Sequence, residues 1–254
     1  MSERPLILIS NDDGINARGL FHLIDCVKEM GDIIAVAPDM PHSAQSSAIS
    51  VEKPLRITQH KDYHTAQIYS VSGTPVDCVK LALHAIVVRK PDLMLSGINH
   101  GSNSGNSIIY SGTMGAAIEA CMAGIPAIGY SLLDHSPQAD FTPTTGYIRL
   151  ITRNVIKHGL PKDVCLNVNI PANCQPEGIK ITRAARGHWG EEYAEYTDPH
   201  GRKFYWLTGH FVNEEPESDE TDIYWLDRKH VTIVPARPDQ TATDTIPDIT
   251  RLIE

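Results

Sequence analysis

Four short apolar runs constrain this chain more than any other feature: "LILIS" (6–10), "IIAVA" (33–37), "LMLS" (93–96) and "IPAIGY" (125–130). Each is apolar at successive positions, so a strand made from it must be buried on both faces. That is the condition of parallel strands covered by helices on either side. Segments of helical period separate them. Residues 17–30 place Leu20, Leu23, Ile24, Val27 and Met30 on one helix face, and Gly31 suits the C-terminal end. Pro75 stands where a first helical turn accepts proline, which predicts a helix from there to about Val88. A third helix is predicted over 113–123, stopped by Gly124, and a strand pair over 55–59 and 67–71. The order strand, helix, strand, strand pair, helix, strand, helix, strand defines an α/β chain. Its parallel sheet is sandwiched between helices in three layers.

After about residue 135 the pattern loosens. A helix is predicted over 147–157, strands over 165–170, 179–184 and 204–208, and one more strand in "HVTIVP" (230–235). This divides the chain into a catalytic core, 1–135, and a C-terminal region, 136–254. The stretch "NEEPESDET" (213–221) reads as a solvated acidic loop, and the polar tail 239–249 as an arm reaching across a partner. A hydrophobic content of 41% with 21% charged residues suits a globular fold, and a net charge of -9 argues against a nucleic-acid polymer as partner. The five cysteines form no CxxC motif, and no apolar run is long enough for a signal peptide or a membrane span. A soluble, cytoplasmic protein is expected.

The first apolar run ends in Asn11-Asp12-Asp13-Gly14. In an open parallel sheet, ligands bind beyond the carboxyl ends of the strands. Asp12 and Asp13 sit at that end of the first strand, Ser43 in the loop after the second, and Asn99 in the loop after "PDLMLS". Two carboxylates, a hydroxyl and an amide carbonyl form an all-oxygen donor set, better suited to Mg²⁺, Mn²⁺ or Ca²⁺ than to zinc. A dication also relieves the repulsion between adjacent carboxylates. Taken alone, Asp12-Asp13-Gly14 reads equally as a turn. A second constellation is "YSGTMGAAIEA" (110–120), where Ser111-Gly112-Thr113 opens a helix. Free amides at such a terminus bind anions, and Gly112 and Gly115 permit close approach; an ordinary serine cap is the alternative. Neither a P-loop nor a strand-linked GxGxxG occurs. No histidine is assigned a role, and Trp189, Trp206 and Trp225 are read as core residues rather than base-stacking ones.

These motifs, together with "APD" before Ser43, "SGTPVDCVKLAL" (72–83), "SGINHGSN" (96–103) and "TDIYWLDRKHVTIVPARPDQTA" (221–242), resemble those of the SurE nucleotidases, the stationary-phase survival proteins. The resemblance implies a Rossmann-like N-terminal part and a C-terminal extension that swaps between subunits of a homodimer, which can pair into tetramers. It implies a phosphatase acting on nucleoside 5′- and 3′-monophosphates and, in some members, on short polyphosphate. One divalent cation per subunit, Mg²⁺ or Mn²⁺, is implied on Asp12, Asp13, Ser43 and Asn99. Asn11, Ser111, Gly112 and Thr113 are the candidate substrate-binding residues, and Asp12 the candidate catalytic one, as nucleophile or base if water does not attack unaided. The exchanged arm is expected from about Thr221. One departure stands out: where the family commonly has Arg-Ser-Gly, this chain has His42-Ser43-Ala44. The rival reading is an Mg²⁺-binding signalling receiver, but such modules carry a phosphorylatable aspartate where this chain has Gly97.

Overall fold

The structure is a computed structural model that describes residues 4–253. Its first half follows the expected alternation: β1 (Leu6–Ser10), α1 (Arg18–Val27), β2 (Asp32–Pro38), β3 (Ile57–Gln59), β4 (Gln67–Val71), α2 (Pro75–Leu81), β5 (Leu93–His100), α3 (Gly112–Met122) and β6 (Ala127–Leu132). The second half adds α4 (Thr145–His158), β7 (Cys165–Ile170), β8 (Ile179–Ile181), β9 (Gly187–Gly190), β10 (Tyr193–Thr197), β11 (Lys203–Leu207), β12 (His210–Asn213), α5 (Asp222–Leu226), β13 (Val231–Ala236) and α6 (Ile246–Arg251). Nine strands form one sheet in the order β3-β4-β2-β1-β5-β6-β7-β13-β8. It is parallel except at β3–β4 and β7–β13.

Alternation along β1 shows why both faces are covered. Ile7 and Ile9 pack with Leu20, Leu23 and Ile24 of α1 and with Ile148 and Ile151 of α4. Leu6 and Leu8 face Cys78 and Val79 of α2 and Met114, Ala116 and Ala120 of α3 on the other side. Thr74 and Asp77 close a capping box at the start of α2, whose end widens into a π-turn over Ala82–Ile86. β5 runs past the predicted 93–96 to His100, and its register with β6 slips between Ser96 and Asn99. Glycine is required where α1 meets that bulge, because a Cβ on Gly19 would lie 2.1 Å from the Ile98 carbonyl oxygen.

Residues 222–226 are helical, and β13 lies between this chain's β7 and β8. Its Val231, Thr232, Ile233 and Val234 are all buried in the sheet core. Because β6 pairs with β7, the sheet also runs continuously across residue 135. The acidic loop is fastened, since the Arg183 guanidinium donates to both Glu215 oxygens at 2.7 and 2.8 Å. Among the tryptophans, Trp189 and Trp206 are 40% and 64% exposed, and only Trp225 is packed, under the Lys180 ammonium. The unpaired surface lies elsewhere, on the β10–β11 hairpin with Tyr193, Tyr205 and Trp206 and on α6 with Ile246 and Ile249. Among the described residues, no helix is long and apolar enough to cross a membrane.

Candidate active site

β1 delivers Asp12 and Asp13 beyond its carboxyl end, as the apolar run requires. Asn11 is buried and donates from Nδ2 to the Gly14 carbonyl at 3.0 Å, closing the turn that carries the pair. It braces the turn, while its Oδ1 is buried without a hydrogen-bond partner. Asp12 is only 4% exposed. Burial, reinforced by the neighbouring Asp13 charge, pushes its carboxyl up to about 6 despite the hydrogen bond from Thr113. Burial raises Asp13 too, partly offset by His100, whose main-chain N–H donates to Oδ2 at 3.3 Å. The acid pair therefore lacks charge compensation of its own, which is what a hard dication supplies.

The His42 N–H donates to the Asp12 carbonyl at 2.8 Å, holding the Ser43 loop against the end of β1. Asn99 donates from Nδ2 to the Gly101 carbonyl at 2.9 Å. The donor set fits a Mg²⁺- or Mn²⁺-like ion, with Asp12, Asp13, Ser43 and Asn99 as the residues that would hold it. Among the described residues no cluster of three or more His, Cys, Asp and Glu side chains offers an alternative metal site.

The start of α3 differs in detail from the sequence reading. Ser111 is an N-cap, its Oγ accepting from the Met114 N–H at 3.0 Å. The Thr113 hydroxyl donates to Asp12 Oδ1 at 2.5 Å, so it orients the carboxylate rather than facing a phosphate. Gly112 is where the helix touches the acid: a Cβ there would lie 2.8 Å from the Asp12 Cβ and 2.9 Å from its Oδ2. What the terminus offers a phosphate is main chain, the N–H of Gly112, since the Thr113 N–H is engaged by the Asp12 carboxylate.

The His42-Ser43-Ala44 departure has a backbone consequence. Ala44 and Ser46 have φ of 58° and 52°, the left-handed region in which a side chain is strained by about 1–2 kcal/mol. Ser46 holds the loop there, its N–H donating to the Tyr110 carbonyl and its Oγ to the Ile109 carbonyl. Ala44→Gly is expected to stabilise the protein by about 1 kcal/mol, less what glycine loses to unfolded-chain entropy. Thermal unfolding reads this directly, and a lower Tm for the variant would show that the loop is unstrained.

Sequence reasoning missed the residues that hold the loop between Asn99 and Gly112. Asn169 on β7 accepts from the Asn103 N–H at 2.8 Å and donates to Asn167 Oδ1 at 3.1 Å; Asn167 donates to the Asn103 carbonyl at 2.7 Å. Asp222, fully buried, accepts from the Gly105 and Ala185 N–H groups at 2.8 and 2.9 Å. The available signal was the pair of asparagines on one face of the otherwise apolar "CLNVNI". Asn169→Leu leaves a buried donor and a buried acceptor unpaired, and is expected to cost about 2–4 kcal/mol in denaturant unfolding. Metal affinity should weaken with it, because the loop carries Asn99; an unchanged unfolding midpoint would remove the network's assigned role.

An open, mostly parallel α/β sheet with an acidic pair and a helix N-terminus at its ligand-binding edge places this chain among the Rossmann-like proteins. The family model for survival protein SurE matches residues 7–191. Relatives include the 5′-nucleotidase SurE of Christiangramia forsetii, 52% identical over 97% of this chain and 96% of that protein, and that of Phocaeicola vulgatus, 47% identical over 94% and 93%. Among solved structures, the SurE protein from Aquifex aeolicus superposes with a TM-score of 0.84 at 33% identity, covering 98% of this chain and 100% of that one. The chain belongs to the SurE family, and the receiver alternative falls away.

Proposed function

We propose that this chain hydrolyses nucleoside monophosphates as a phosphoric monoester hydrolase dependent on a divalent cation. The 5′-esters are the principal substrates, and the 3′-esters and short polyphosphate are subsidiary ones. The observation that carries the reading is the adjacent Asp12–Asp13 pair, with Asp12 buried against the N-terminus of α3 and Asp13 half-buried beside it. A cation held by Asp12, Asp13, Ser43 and Asn99 supplies the positive charge that a phosphate dianion and its transition state need. The main-chain N–H of Gly112 holds a phosphate oxygen along the helix axis. Thr113 fixes the Asp12 carboxylate by its hydroxyl, leaving Asp12 Oδ2 toward Gly112 as the oxygen placed to orient or deprotonate an attacking water. The names of the curated relatives support the reaction class.

The test is phosphate release from 5′- and 3′-nucleotides, sugar phosphates and tripolyphosphate, with Mg²⁺, with Mn²⁺ and after chelation. Nucleotides should be the best substrates, with activity lost on chelation and restored by metal. Full activity in chelator would overturn the metal reading, and inertness toward every phosphate ester would overturn the function.

The exposed apolar face of α6 and the aromatic β10–β11 hairpin support a homodimer built through these two elements rather than through β13. Ile249→Asp with Leu252→Asp is expected to lower the mass seen in light scattering while metal affinity is kept. A wild-type protein that is already monomeric would refute the assembly.

A further inference from the structure

We propose that the cavity between the 102–107 loop and the β9–β12 ribbon is a nucleoside subsite, in which Trp189 and Phe211 receive the base of the substrate. This rests on the phosphatase reading above and names the part of the substrate that the acid pair does not contact. The loop from Asn99 to Gly112 is closed at both ends on the acid pair. His100 donates to Asp13 at one end, and Gly112 lies against Asp12 at the other. Its middle, Ser102, Ser104 and Ser107, lines a cavity of about 480 Å³, within the range of small-molecule sites. Ser102 is three residues from Asn99, at most about 10 Å along the chain, so the cavity lies one loop away from the phosphate position.

The walls select the occupant. Trp189 and Phe211 are register partners across β9 and β12, with ring centroids 6.2 Å apart. Both are fastened to the loop. The Trp189 indole N–H donates to Ser107 Oγ at 3.2 Å, and Phe211 Cζ stands 3.0 Å from where a Gly105 Cβ would be. Asn106 ties the ribbon down further by donating from Nδ2 to the Gly187 carbonyl at 2.8 Å. Trp189 nevertheless remains 40% exposed, which leaves ring surface for a ligand. Asp227 is on the rim, and among the described residues the lining contains no lysine or arginine. Phe211 backs Trp189 edge-on, with an interplanar angle of 79°, so a flat ring with donor groups on its edge fits against the exposed face of Trp189, beside a hydroxyl-bearing loop. A nucleotide spanning the loop puts each end where its charge is matched.

The experiment compares a nucleoside 5′-monophosphate with p-nitrophenyl phosphate on the full-length protein, for wild type, Trp189→Ala and Trp189→Phe. Loss of base stacking should raise KM for the nucleotide about 5- to 100-fold in Trp189→Ala and leave p-nitrophenyl phosphate within about 2-fold. Trp189→Phe, which keeps a ring, should recover most of the difference and guards against a folding defect. Adenosine should compete with the nucleotide in wild type and lose that competition in Trp189→Ala. Equal losses on both substrates, or none on either, would overturn the subsite. Failure of wild type to hydrolyse either compound would overturn the phosphatase reading instead.

Discussion

Asp12→Asn is expected to reduce kcat/KM by about 10²–10³-fold or more while making the metal-free protein more stable. The two effects have one origin. Asp12 is buried beside Asp13, and its carboxyl is pushed up to about 6. A rise of about two units from the ordinary aspartate value corresponds to about 3 kcal/mol held against the ionised apo site at neutral pH. Between about pH 4 and 6 the folded metal-free protein binds more protons at this group than the unfolded chain does. Its stability contribution is therefore full below about pH 4 and is lost as pH rises through about 6. Asparagine has nearly the same volume and can still accept from Thr113, but it does not ionise. The variant should thus gain about 1–3 kcal/mol at pH 7 in chelator, with a flatter pH profile, and lose the stabilisation that Mg²⁺ or Mn²⁺ gives the parent. Thermal unfolding from pH 4 to 8, with and without metal, measures all of this. A parent whose metal-free stability does not fall across that range would show that the pair is not frustrated by burial.

The central sheet was legible because its strands are buried on both faces, a condition that leaves runs such as "LILIS" with no polar position to spare. The placement of Asp12 and Asp13 just beyond β1 was legible for a related reason: a parallel sheet exposes its ligand-binding edge at the carboxyl ends of its strands. Two things were not. The placement of β13 between β7 and β8 joins residues more than 50 positions apart, and no local pattern reports which partner a strand will find. The role of Thr113 was equally hidden. A hydroxyl at a helix start reads as a cap or an anion ligand, and only the approach of α3 to Asp12 turns it toward the carboxylate. The same applies to Asn169 and Asp222, single polar residues whose meaning comes from the loop they hold more than 60 positions away.

Gly112→Ala is expected to be nearly as damaging to activity as loss of Asp12 itself, for a steric reason. The added methyl would lie 2.8 Å from the Asp12 Cβ and 2.9 Å from Oδ2, distances that ordinary carbon contacts do not reach. Relief requires either the buried Asp12 side chain to turn or the first turn of α3 to withdraw from β1. Turning Asp12 breaks its hydrogen bond from Thr113 and moves a carboxylate oxygen out of the metal position. Withdrawing α3 opens the packing of the buried Met114, breaks the Thr113 contacts to Asp12 and carries the Gly112 amide away from the phosphate. Overpacking of this kind costs about 1–3 kcal/mol of stability, and a displacement of about 1 Å at reacting groups costs about 10²-fold in rate. Metal titration, kcat/KM and unfolding should therefore all move together in Gly112→Ala. In Asp12→Asn, by contrast, stability and activity move in opposite directions. Removing the clashing atoms as well, in Asp12→Gly with Gly112→Ala, should restore part of the stability lost in Gly112→Ala alone and none of the activity, because only loss of the Asp12 Cβ relieves the 2.8 Å contact. If Gly112→Ala unfolds normally and keeps its metal affinity, the helix does not rest on the carboxylate, and the coupling between α3 and the acid pair is wrong.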